Sequence, residues 1–128
     1  MNLGRSSMTA AVDPRTIHIS SKTYLTKVRW DRPFDGADSE WVYFGAGKEL
    51  DLSLIQIAID QHLQSEELLL DLGRHLSRPI SREEMIREFS DLIAVSNLTV
   101  WDPRFHSVIE FAKMGVFRKG GRPTLIPT

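Results

Sequence analysis

The sequence predicts an α+β domain in which an antiparallel sheet, ending in a C-terminal three-stranded meander, packs against two or three central helices. Three observations predict it. Residues 98–101, 106–112 and 116–120 are short runs rich in apolar and β-branched residues, separated by Asp102-Pro103 and by Lys113-Met114-Gly115, the signature of strands joined by tight turns. Residues 53–94 carry apolar side chains three and four positions apart, as buried helix faces do. Residues 17–30, IHISSKTYLTKVRW, concentrate β-branched and aromatic side chains, with Tyr24, Val28 and Trp30 in one phase of a period-two pattern. A chain of 128 residues suits one core. Residues 1–14, small and polar, are expected as a flexible tail, and 15–128 as a single domain.

Taken in order, 17–30 predicts a long strand, or two with a bulge at Ser20-Ser21. The turn-rich DRPFDGADSE of 31–40 then interrupts it before WVYF at 41–44, which predicts a hairpin with a long acidic loop. Ile55, Ala58, Ile59, His62 and Leu63 predict a helix started by Asp51 or Ser53. Ser65 followed by Glu66 and Glu67 reads as a fresh helix start, with Leu68, Leu69, Leu72 and Leu76 as its apolar stripe and Pro79 as its stop. Ser81-Arg82-Glu83-Glu84 has the capping-box form and opens a helix to about residue 94 that buries Met85, Ile86, Phe89, Leu92 and Ile93. In the central meander strand, Val108 and Glu110 face one way, Ile109 and Phe111 the other. Beyond Gly120 the Gly- and Pro-rich tail is expected to be extended.

The net charge of −1 conceals segregation: residues 31–71 hold ten acids against two bases, whereas 1–30 and 104–128 each hold five bases and one acid. A block of one sign attracts oppositely charged partners even on a near-neutral molecule. Without cysteine, disulfides and thiolate chemistry are excluded. The N-terminal MNLGRSSMTAAVDP has no apolar stretch of the roughly 7–15 residues a secretory signal needs, and no stretch anywhere approaches the ~20 of a membrane span. A cytoplasmic location without membrane contact is therefore the expectation.

The familiar catalytic spacings are absent. GAGK at 45–48 fails the phosphate-loop pattern, which would need glycine at Val42 and Ser or Thr at Glu49. His18, His62, His75 and His106 fall in no metal-ligand spacing, and Glu66-Glu67 and Glu83-Glu84 are adjacent residues that diverge on a helix rather than converge as an acid/base pair. No enzyme activity, cofactor or metal is expected; an enzyme would need His62, His75 or His106 to meet an acid in a pocket. Trp30, Trp41 and Trp101 read as strand-borne core residues, but Trp41 directly follows Asp35, Asp38 and Glu40. An aromatic beside acids at a loop edge suits a surface for a basic partner.

Residues 97–120, NLTVWDPRFHSVIEFAKMGVFRKG, with the acidic helices before them, resemble immunity proteins of bacterial contact-dependent growth inhibition systems. The likeness lies in a helix, a WD turn, a strand holding an acidic residue and a GVFRKG-like ending. It implies a non-enzymatic antidote that binds the C-terminal toxin domain of its cognate delivery protein, a nuclease in many such systems, and covers a basic active-site cleft. The partner-binding residues expected on this reading are Asp35, Asp38, Glu40, Trp41, Glu49, Asp51 and Asp60. The alternative is a small nucleic-acid-binding or regulatory protein using Lys113, Arg118, Lys119 and Arg122 beside Phe111 and Phe117. The acidic middle block weighs against nucleic acid as the partner.

Overall fold

A computed structural model describes residues 13–45 and 49–123. The expected N-terminal tail therefore lies mostly outside the described residues, as do most of the GAGK turn and the end of the C-terminal tail. The elements run α1 (Pro14–Leu25), β1 (Arg29–Trp30), β2 (Val42–Tyr43), α2 (Leu52–His62), β3 (Glu67–Asp71), β4 (Arg78–Ser81), α3 (Arg82–Val95), β5 (Leu98–Trp101), β6 (Ser107–Ala112) and β7 (Val116–Gly121). All strand pairs are antiparallel, in the order β1-β7-β6-β5-β3-β4 with β2 also on β7. The α+β class, the antiparallel sheet and the meander agree with the sequence reading, and the N-terminal strands join the same open sheet.

Three expected elements differ. The strand over 17–30 is mostly α1: Asp13 accepts from the Thr16 N–H at 2.8 Å and Pro14 takes the first turn, a strong start signal. Ile17, Ser21, Tyr24 and Leu25 then lie at helical spacing and face the sheet, so packing overrides the β-branched composition. The expected hairpin across 31–40 does not form either. β1 pairs with Gly120 and Gly121, β2 with Val116 and Phe117, so the two lie end to end along β7 and the loop between them leaves one sheet edge. At β1 the chains approach so closely that a Cβ on Gly120 would come within 2.3 Å of the Arg29 carbonyl oxygen.

The third difference is at 66–76, where a β3–β4 hairpin replaces the expected helix. Leu68 and Leu70 enter one core and Leu69 the other. A strand buried on both faces reads as a continuous apolar run and mimics a helix stripe. Glu66 and Glu67 thus cap no helix, Leu76 is exposed in the turn, and Pro79 sits on the edge strand β4, where a missing N–H is tolerated.

α2 and α3 cover one face of the sheet, around Leu68, Leu70, Val100, Ile109 and a cluster of Phe44, Phe89, Phe111 and Phe117. The Phe89 and Phe111 rings meet edge to face at 4.9 Å, a favoured aromatic geometry. Asp51 caps α2 by accepting from the Leu54 N–H at 3.0 Å. The Ser81 hydroxyl accepts from the Glu84 N–H at 3.0 Å, as expected of the cap, and donates to the Glu84 carboxylate at 3.2 Å, so the carboxylate reaches back to the hydroxyl rather than to the Ser81 backbone N–H of a full capping box. α1 covers part of the second face, over Leu69, Trp101 and Val108, and leaves the rest of that face to build a site.

Candidate functional site

The register of the sheet sets a polar row across its second face. Asp71 lies opposite Thr99, Thr99 opposite Glu110, and Glu110 opposite Arg118; directly opposed residues share a face. The row crosses four strands beside α1. At one end the buried Asp71 Oδ1 lies 2.9 Å from His18 Nδ1 and accepts from the Gly73 N–H and the Ser77 hydroxyl, each at 3.0 Å. Burial pushes the Asp71 carboxyl up, but hydrogen bonds from Gly73, His18, Ser21 and Ser77 outweigh it and hold the group below its ordinary value of 3.8. His18, Lys22, Asp71, Asn97, Thr99 and Glu110 are among the residues around a cleft of about 320 Å³ here.

A carboxyl lowered on folding adds stability that is complete above its unfolded value and is lost as pH falls through the folded value. Urea unfolding of Asp71→Asn should therefore show a shallower loss of stability than the wild type between roughly pH 5 and 2. Identical acid slopes would contradict this account of Asp71.

At the other end Arg118 is clamped. Its guanidinium carbon stands 3.8 Å from the Trp30 ring centre and 4.6 Å from that of Trp41, within cation–π range of both. Its Nε donates to Glu110 at 2.7 Å and its Nη1 to Glu40 at 3.2 Å. Trp30 and Trp41 bound the 31–40 loop, so the clamp pins both of the loop's roots to β7. Within the loop, the Ala37 N–H bonds the Phe34 carbonyl at 3.1 Å and Gly36 adopts φ 83°, a left-handed turn conformation that glycine accepts without strain. Arg32 also donates to the Ala37 carbonyl. The loop exposes Phe34, at 67%, next in sequence to the exposed Asp35, with Asp31 exposed at its root and Asp38 exposed further along.

The expected partner-binding residues divide accordingly. Asp35 and Asp38 stand exposed on the loop, whereas Glu40 and Trp41 are partly buried and hold it in place. Asp51 is the cap of α2, and Asp60 on that helix pairs with Arg82 at 3.4 Å. Glu49 is exposed just before α2, which lies against the opposite face of the sheet from Glu110 and Arg118. These three residues therefore do not continue the surface that contains the clamp.

Arg118, Trp30, Glu110 and Thr99 belong to the site but were not expected there. The basic C-terminal residues form no continuous face. Arg118 is spent in the clamp, Lys119 alternates to the other face, and Arg122 stacks on Tyr24 at 4.0 Å while donating to the Phe105 and Arg104 carbonyls. His62 Nε2 lies 2.7 Å from the Gly120 carbonyl oxygen, and His75 and His106 are exposed. The histidine that meets a carboxylate is His18, which the sequence reading did not single out. Among the described residues, no three His, Cys, Asp or Glu side chains group as metal ligands would, and no helix is long and apolar enough to cross a membrane.

Comparison with known proteins adds no relative: no family model, curated protein or solved structure matches the chain.

Proposed function

We propose that this protein is a non-enzymatic immunity protein that binds a toxin domain with a basic cleft, such as a nuclease, in the cytoplasm and blocks it. The observation that carries the reading is the loop of residues 31–40, which exposes Phe34 together with Asp31, Asp35 and Asp38 on a base pinned by Arg118. An aromatic side chain exposed among acids is a poor choice for solubility alone and a good one for a partner surface, where it supplies contact area while the acids steer a basic molecule. Anchoring the loop before binding reduces the ordering cost that association would otherwise carry. The resemblance of residues 97–120 to immunity proteins supports the same reading.

The nucleic-acid alternative draws no support from the arrangement of the bases, because Arg118 and Arg122 are engaged within the chain. The test is co-expression with a toxin domain encoded beside this reading frame, scored by growth and by co-purification. Wild-type protein is expected to rescue growth and to form a complex, and the double variant Asp35→Lys, Asp38→Lys to bind about 10–100-fold more weakly. No rescue and no complex would remove the reading. Undiminished binding by the double variant would remove the loop from the interface.

A further inference from the structure

Beside the clamp, a pocket of about 80 Å³ opens between Trp41, Asn97, Thr99, Glu110 and Ala112. We propose that this pocket receives the guanidinium of an arginine from the protein partner; the inference rests on the reading of the protein as a binder of a basic domain.

The pocket offers an indole wall from Trp41 and a carboxylate from Glu110, the pairing that suits a flat cation able to stack and hydrogen-bond at once. The chain demonstrates this chemistry on its own Arg118, held by the same two residues together with Trp30 and Glu40. Two carboxylates serve that one guanidinium, so the cluster keeps an excess negative charge. Glu110 uses Oε1 for Arg118, and its second oxygen makes no hydrogen bond among the described residues. A carboxylate accepts on both oxygens, so Glu110 can bridge an internal and an incoming guanidinium. The Thr99 hydroxyl is a further acceptor on the wall. The space admits a small head group rather than a ring system, and an anion would meet the carboxylate. The neighbouring cleft is a poorer cation site because Lys22 lines it. Position supports the assignment too: Trp41 is a root of the acidic loop, so a basic partner seated on the loop brings its cationic side chains to this pocket.

The probe is N-acetyl-arginine methylamide, titrated into the full chain and followed by two-dimensional NMR. The expected result is a saturable shift at the Trp41 indole N–H and at the Thr99 and Glu110 amides. The uncharged citrulline analogue should bind at least about tenfold more weakly, and the lysine analogue, which has no planar head to stack, more weakly than arginine. Ala112→Met narrows the pocket from its rim without touching the clamp, and should abolish the shifts while leaving the spectrum of a folded protein. Absence of a saturable shift, equal response to citrulline or lysine, or an unchanged response in Ala112→Met would overturn the proposal. In a toxin complex, Ala112→Met should weaken affinity by about tenfold, the scale of losing one anchor. Unchanged affinity there would overturn the pocket and leave the immunity reading standing. An arginine-specific response without any toxin complex would support the pocket and overturn that reading.

Discussion

Trp101→Ala is expected to lower the unfolding free energy by about 3–5 kcal/mol, the range for deleting a large aromatic from a packed core. Trp101 is fully buried, in contact with Ile17, Leu69 and Val108, and its ring lies 5.3 Å from Phe105 and 6.4 Å edge-on to Tyr24. Its indole N–H donates to the buried Ser21 hydroxyl at 2.8 Å. Truncation therefore opens a cavity under α1 and leaves a buried hydroxyl without its donor, two costs that act together. Folded domains carry only about 5–15 kcal/mol in all, so α1 should lose its seat on the sheet before the α2–α3 core melts. Trp101→Phe keeps most of the packing and removes the donor, and should fall between the two. Urea unfolding monitored by circular dichroism measures all three proteins. A loss below about 1.5 kcal/mol for the alanine variant, less than any expected for such a site, would mean that α1 is not packed as described.

Arg118→Ala should be the most damaging single change to the loop. It deletes two ion pairs and two stacking contacts at once, and leaves Glu40 and Glu110 without the cation that holds them together. The side chain is about a quarter exposed, which tempers the effect, and a loss of about 1–3 kcal/mol is expected. The Asp31 amide, bonded to the Lys119 carbonyl at 2.8 Å, and the Ala37 amide, bonded to Phe34, report on the loop. Both should exchange hydrogen about tenfold faster for every 1.4 kcal/mol of local stability lost. Arg118→Lys retains the charge but not the flat stacking surface, and should restore only part of the protection. Wild-type exchange rates in Arg118→Ala would contradict the clamp.

Part of this architecture was legible in the sequence. The Ser81 and Asp51 caps belong to local chemistry, which a short window contains. The meander was legible from its turns, and its register follows from them. A turn centred on Met114 sets Ala112 opposite Val116 and therefore Glu110 opposite Arg118, so an acid and a base on the open face were already a cross-strand pair. α1 was hidden because its signal, Asp13-Pro14, falls within the segment read as a tail. The β3–β4 hairpin was hidden because burial on both faces erases the alternation that identifies a strand.

The site was legible in a similar proportion. Asp35 and Asp38 are exposed loop acids, as their sequence neighbours suggest. Glu40 and Trp41 anchor the loop through Arg118, 77 or more positions away in sequence, a contact that only the long-range strand pairing creates. His18 and Asp71 meet across 53 positions because α1 packs onto β3, a tertiary contact no short window contains. Charge counting could not separate an acid that caps a helix, such as Asp51, from one that faces solvent.

On the proposed function, the pinned acidic loop draws in a basic partner. The direct measurement is the association rate between this protein and a candidate toxin domain, should one be encoded beside this reading frame, across ionic strength, for the wild type and for Asp35→Lys, Asp38→Lys. Steered association should slow by about tenfold or more as salt rises, with little change in dissociation, whereas the double variant should associate slowly at every salt concentration. A wild-type rate that does not depend on salt, or a double variant that associates as fast as the wild type, would contradict the claim.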